Sequence, residues 1–221
     1  MRKSSSVLDA ELPFPPRLFR TKPFQPTIYA VNLRLLEVLA LEPRAVVSAE
    51  SPTFAGDLSA RLKRLDSEAR ARLARCPFSL VDAGYQDENR WRRLRADFRG
   101  EREGGGRRRT EFSETARQMA SQALVLGWFV MTQWRTAHRL LLGASDECAD
   151  IVRTFDMPEV LDLGHLHPGC IRLRWDGRAD LWDQLIRLAE KEPRKPLGSV
   201  AMRALQLFLG QITKPNRLLA V

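Results

Sequence analysis

One stretch constrains the fold more than any other: residues 113–142, SETARQMASQALVLGWFVMTQWRTAHRLLL. Ala116, Met119, Ala123, Gly127, Met131, Trp134, Ala137 and Leu141 recur at steps of three and four. That is the helical period. Between Leu124 and Met131 nearly every side chain is apolar, so the middle of this helix is expected to be covered on all sides. A continuous helix over the stretch would run roughly 45 Å, long enough for shorter helices to pack along it. It is not a membrane span. Its apolar run falls short of the ~20 residues a bilayer needs, and Gln118, Gln122, Gln133 and Arg135 interrupt the rest.

Around this element the sequence predicts further helices. Pro26 to Leu41 carries a wide apolar face of Ile28, Val31, Leu35, Leu36 and Leu39, and Pro43 stops it. Asp57 to Arg75 reads as a second helix on Leu58, Leu62, Leu65, Ala69 and Leu73. Cys76 to Val81 is short and apolar, a buried turn or a helix start. Gln86 to Phe98 is expected to turn Trp91 and Leu94 inward. Ala179 to Glu190 and Ser199 to Ile212 complete the set. The fold class expected is therefore all-α, a helical bundle around a long buried helix.

The organisation expected is a proline-rich arm at 1–25, a helical region at 26–100, a Gly/Arg-rich linker at 101–112 and a second helical region at 113–221. In the arm, Phe14, Phe19 and Phe24 alternate with Pro13, Pro15, Pro16 and Pro23. Prolines favour extended geometry, so the rings either dock on the chain's own core or wrap a partner. No apolar run follows Arg2 and Lys3, so no secretory signal is expected and the protein reads as cytoplasmic. The cysteines, Cys76, Cys148 and Cys170, are odd in number and widely spaced, which suits free thiols rather than a disulfide framework.

The net charge of +9 favours a polyanionic partner. From Arg90 to Arg109 nine arginines stand against three acids, with Gly104, Gly105 and Gly106 leading into Arg107, Arg108 and Arg109. The glycines make no P-loop, because no Gly-Lys-Ser/Thr follows. The arginines either grip phosphates or solvate a linker.

The residues after the long helix are clearly punctuated. Gly143 can end it in left-handed geometry. Ser145 can cap the next helix, with Asp146 and Glu147 in its first turn. Asp156 and Glu159 have capping-box spacing, and Pro158 is tolerated in a first turn. Two short helices follow, Ser145 to Phe155 and Asp156 to Gly164. Cys170 to Trp175, CIRLRW, alternates apolar and basic residues as an extended segment would.

This stretch, LGASDECADIVRTFDMPEVLDL, resembles the helix-turn-helix-like part of the FlhD family of flagellar transcriptional activators. The likeness rests on Leu142, Gly143, Ser145, Glu147, Ala149, Val152, Phe155, Met157, Pro158 and Leu163. The Arg174-Trp175 pair falls where that family has a basic residue before an aromatic one. Nothing before Phe112 is similar, and Cys170 is one position out of register with that family's cysteine. The resemblance implies an all-helical subunit that joins itself or a partner in DNA-bound transcription complexes. It carries over no base-contacting residue.

Two functions are therefore weighed. One is a DNA-associated regulatory subunit, with Arg92, Arg93, Arg95, Arg107, Arg108, Arg109, Arg172 and Arg174 as candidate phosphate contacts. The other is a helical adaptor that binds another protein. Either expects a protein partner or a second copy of the chain. No nucleophile, general base or cofactor motif is recognisable, so neither a reaction nor a cofactor is expected. His165, His167 and Cys170, with Asp162, are residue types that bind metal, but a second cysteine is absent nearby. His138 reads as a packed or surface residue.

Overall fold

The computed structural model describes residues 24–42, 52–101, 112–134 and 136–191. Among them the protein is all-α apart from two two-residue strands. In chain order the elements are α1 (Gln25–Leu41), α2 (Pro52–Arg64), α3 (Ser67–Ala74), β1 (Val81–Asp82), α4 (Glu88–Glu101), α5 (Glu114–Gln133), α6 (Ala137–Leu141), α7 (Asp146–Val152), α8 (Met157–Leu166), a 3-10 turn at Pro168–Cys170, β2 (Arg172–Leu173) and α9 (Ala179–Lys191). Most of the arm, the Gly104 to Gly106 loop, Arg107 to Arg109 and the Ser199 to Ile212 helix lie outside the described residues.

The central helix is shorter than the periodicity predicts. Ser113 caps α5 by accepting from the Ala116 amide at 3.2 Å. The helix ends at Gln133, where Trp134 turns to extended geometry at φ −137° and ψ 90°. Two long-range interactions account for the break. The Trp134 ring sits edge-on to Phe24 and Phe129, which draws it off the helical path. Beyond it, α6 is tied down elsewhere: the Leu141 carbonyl accepts from the Ser79 amide at 2.8 Å. α5 still lies at the centre, packed against α1, α7 and α8. Leu124, Leu126, Val130 and Met131 are buried, whereas Phe129 is partly open to solvent. Gly127 is the one position where the helix needs no side chain: the Tyr85 ring fills the space its Cβ would take.

The predicted Asp57 to Arg75 helix is two helices. Asp66 interrupts it by capping α3, its side chain accepting from the Ala69 amide at 2.6 Å. The loop after α3 is held by a buried Asn32. Its Nδ2 donates to the Ala74 and Phe78 carbonyls at 3.2 and 2.9 Å, and its Oδ1 accepts from the Leu80 amide at 2.8 Å. That fixes Cys76 to Val81 as a loop leading into β1, rather than a helix start. β1 pairs antiparallel with β2, Val81 opposite Leu173 and Asp82 opposite Arg172. So only the middle of CIRLRW is strand. Trp175 then turns to φ 57°, a conformation L side chains rarely adopt. It is held by its ring standing edge-on to Phe78 at 5.1 Å.

The buried apolar side chains form one cluster from Phe24 to Ala189. The helices on both sides of residues 101–112 share this core. At about 1.5–3 kcal/mol for each fully buried large apolar side chain, it is the main stabilising element of the fold. Cys76, Cys148 and Cys170 are buried within it as free thiols. Burial pushes the Cys76 and Cys170 thiols up to about 12.

Candidate interaction surface

The punctuation after the central helix is realised in the local geometry. Gly143 takes φ 74° behind α6. Ser145 caps α7 by accepting from the Cys148 amide at 3.1 Å. Asp156 and Glu159 form a reciprocal capping box, each side chain accepting the other's amide at 2.8 and 2.9 Å. A short turn, residues 153–156, joins α7 to α8.

The α6–α7 junction is an ionic knot. Asp146 accepts from Arg139 through both carboxylate oxygens and lies 2.9 Å from the Nε2 of the buried His138. The Arg139 hydrogen bonds hold the Asp146 carboxyl at about 2, against an ordinary 3.8. His138 is thus a packed residue with a carboxylate partner.

The candidate phosphate contacts occupy four different situations. Arg174 is buried and points inward. Its Nη1 donates to the Ser79 and Leu141 carbonyls at 3.1 and 3.0 Å, and its guanidinium lies over the Phe78 and Trp175 rings. Burial lowers it to about 10. It clamps β2, the 76–80 loop and α6 together, and presents no charge at the surface. Arg95 is also turned inward. It donates to Glu159 and to the Thr154 carbonyl, both at 2.8 Å, and stacks over Phe155 at 4.3 Å. This pins α4 to the α7–α8 turn. Arg172 donates to Asp82 at 2.8 Å across the strand pair. Arg92 and Arg93 stand exposed on the outer face of α4, Arg92 bonded to Glu88 one turn back. Arg107, Arg108 and Arg109 lie outside the described residues. The adjacent Trp175 ring is a local partner of Arg174; the carbonyls that Arg95 and Arg174 satisfy lie more than thirty residues away in sequence.

Two features of this face were not expected from the sequence. The first is a cleft of about 330 Å³ between α4 and α7, lined by Arg92, Arg95, Ala96, Ile151 and Thr154. The second is the outer face of α8. Pro158, Leu161, Asp162, His165 and Leu166 are exposed there, with Leu161 at 41% and Leu166 at 51%. Their positions follow the helical step along a single stripe. Among the described residues no three His, Cys, Asp or Glu side chains converge on a metal position. Cys170 is buried while His165 faces outward.

The charge is unevenly distributed. The described residues carry 20 basic and 21 acidic side chains, and the remaining segments carry 16 basic and 6 acidic. The whole excess of +9 therefore belongs to residues 1–23, 43–51, 102–111, 135 and 192–221.

Compared with protein-family models, curated proteins and solved structures, the chain matches none. Among the described residues no helix is long and apolar enough to cross a membrane.

Proposed function

We propose that this protein is a helical adaptor that works by binding another protein through the surface built on α4, α7 and α8. The observation that carries this reading is the composition of the α8 outer face. Leu161 and Leu166 are exposed beside Asp162 and His165, and α8 carries no lysine or arginine. A helix entering a DNA groove would bring its carboxylates toward phosphates, at an electrostatic cost. Exposed leucines on a short, doubly capped helix suit a protein interface instead, where apolar area is removed from water. Arg95 and Arg174, spent on internal carbonyls and rings, support the same reading. The test is a photo-crosslinking amino acid placed at Leu161 or Leu166 of the full chain, in the cells that make it. Discrete adducts with another polypeptide are expected from these positions and not from Glu68 on α3. Their absence would sink the reading.

A second reading, DNA association in a regulatory complex, is favoured by one observation: the basic excess outside the described residues, which includes Arg107, Arg108 and Arg109. Phosphate contacts release counterions, so such binding must weaken steeply with salt. Duplex titrations at two salt concentrations test it. Replacing the three arginines together by alanine should flatten the salt slope by about three. No retention at low salt removes this reading and leaves the adaptor.

A further inference from the structure

We infer, independently of the adaptor reading, that one stripe of α5 is a binding surface for extended, proline-rich chain, and that the protein's own residues 12–23 occupy it. α1, α7 and α8 pack against α5 but leave Gln118, Gln122, Phe129 and Gln133 exposed, with Val125 half-buried among them. Steps of four, three, four and four place these five on one side of the helix. From Gln118 to Gln133 the sequence has no charged residue. A solvated helix face ordinarily carries charge, as α4 does with Arg92 and Arg93. An uncharged stripe with a phenylalanine 38% exposed is suited instead to being covered.

Three observations name the occupant. The first is continuity. Residues 1–23 join the described structure at Phe24, whose ring is buried against Trp134 and lies 6.3 Å from the Phe129 ring. One of the arm's three rings is thus docked beside the stripe already. The second is reach. Chain in polyproline geometry advances ~3.1 Å per residue, so Phe19 can lie roughly 16 Å from Phe24. Helical rise puts Gln118 roughly 16 Å from Phe129, which is the same span. The third is chemistry. Polyproline has about three residues per turn. Counted back from Phe24, one row holds Thr21, Leu18, Pro15 and Leu12, and the next holds Phe19, Pro16 and Pro13 behind Lys22. Arg17 and Arg20 fall together on the third row, which leaves them to water. Such a segment has no internal hydrogen bonds, so its carbonyls need donors. Gln122 and Gln133 supply amide donors, and Phe129 supplies an aromatic face of the kind on which proline-rich segments dock. A nucleic acid would find no cation on this stripe.

The experiment uses the purified full chain with a photo-crosslinking phenylalanine analogue at position 19, or at position 5 as a control, and maps the adducts by peptide mass. An adduct within one chain is expected between position 19 and residues 118–129, and none from position 5. Two variants should lose most of it. Phe129→Gln removes the aromatic face, and the double variant Pro15→Gly/Pro16→Gly loosens the arm. Both are checked for unchanged thermal melting. Pro15 and Pro16 lie outside the described residues, so the proline variant decides the matter if Phe129→Gln melts early. Adducts of doubled mass would give the stripe to the arm of a second copy and overturn its occupancy by the chain's own arm. Adducts to other elements, no adduct from position 19, or full yield in the proline variant would each overturn the inference.

Discussion

Gly164 of α8 rests directly on Ser121 of α5: a Cβ at Gly164 would lie 2.5 Å from the Ser121 Cα and 2.6 Å from its amide nitrogen. Two helix backbones cannot approach this closely with a side chain between them. The contact sets how near α8 packs to the core helix, and thereby where Leu161 and Leu166 face outward.

Gly164→Ala should therefore destabilise the protein, because the obstacle is backbone that cannot swing aside. Overpacking of this kind costs about 1–3 kcal/mol. Gly56→Ala and Gly100→Ala are the controls. Both sit in helices with nothing within 4 Å of the new methyl group, and should stabilise by about 0.5–1 kcal/mol. Urea denaturation of the three variants checks the contrast, and equal effects would refute the close-packing argument.

Asn32 and Arg174 hold the same loop, both satisfying backbone groups between Ala74 and Leu80. Asn32→Ala strands the Leu80 amide and the Phe78 carbonyl away from water. An orphaned buried group costs about 1–3 kcal/mol, so a loss at the upper end of that range is expected. Arg174→Ala should cost a similar amount by removing the donor to the Ser79 carbonyl and the guanidinium packed over the Phe78 and Trp175 rings; the Leu141 carbonyl keeps the Ser79 amide. Arg93→Ala, on the exposed face, should stay within about 0.5 kcal/mol. A destabilisation from Arg93→Ala equal to that from Arg174→Ala would mean that their placements are wrong.

The acid limb of stability should report on Asp146. Its carboxyl is lowered in the folded protein, so its ionised form stabilises the fold above the unfolded value of about 3.8. That contribution is lost as pH falls from there to about 2. Asp146→Asn should lower the melting temperature at pH 6 and narrow the gap to the native protein as pH approaches 2. A gap constant across that window would show that the Arg139 hydrogen bonds do not act through the carboxylate charge.

How legible all this was depends on the range of the interactions. The caps at Ser145 and Asp156 and the left-handed Gly143 could be read because a cap needs only residues within one turn of itself. The helix break at Trp134 could not. Its flanking residues suit a helix, and the cause is Phe24, more than a hundred residues earlier, together with the anchoring of Leu141 by Ser79. The split at Asp66 lay between the two cases, since aspartate is a good cap, but Leu62, Leu65 and Ala69 keep the helical period across it. The strand pair was half legible: alternation marked 170–175, while its partner at Val81 gave only a short apolar run. Charge misled most. An arginine reads as a surface cation until the carbonyls that enclose it are known, and for Arg95 and Arg174 these carbonyls come from remote segments.

Trp128 brings local and remote effects together. The periodicity puts it in the most apolar part of the central helix, where complete burial is expected. Its ring is in fact only half-buried, and its Nε1 donates to the Phe155 carbonyl at 2.7 Å, at the turn between α7 and α8. The residue thus has two separable functions: its ring packs against the core, and its N–H fixes the turn. Trp128→Phe retains most of the packing and removes the donor, so it should cost about 1 kcal/mol, the net value of a typical hydrogen bond. Trp128→Ala removes both and should cost more, toward but not beyond the 3–5 kcal/mol typical of a fully buried tryptophan. Amide exchange gives a second readout. With Trp128→Phe, protection should fall at residues 153–156 and remain unchanged in α1, because the lost bond belongs to the turn alone. Equal stability losses for the two variants, or loss of protection spread evenly over the core, would refute this separation.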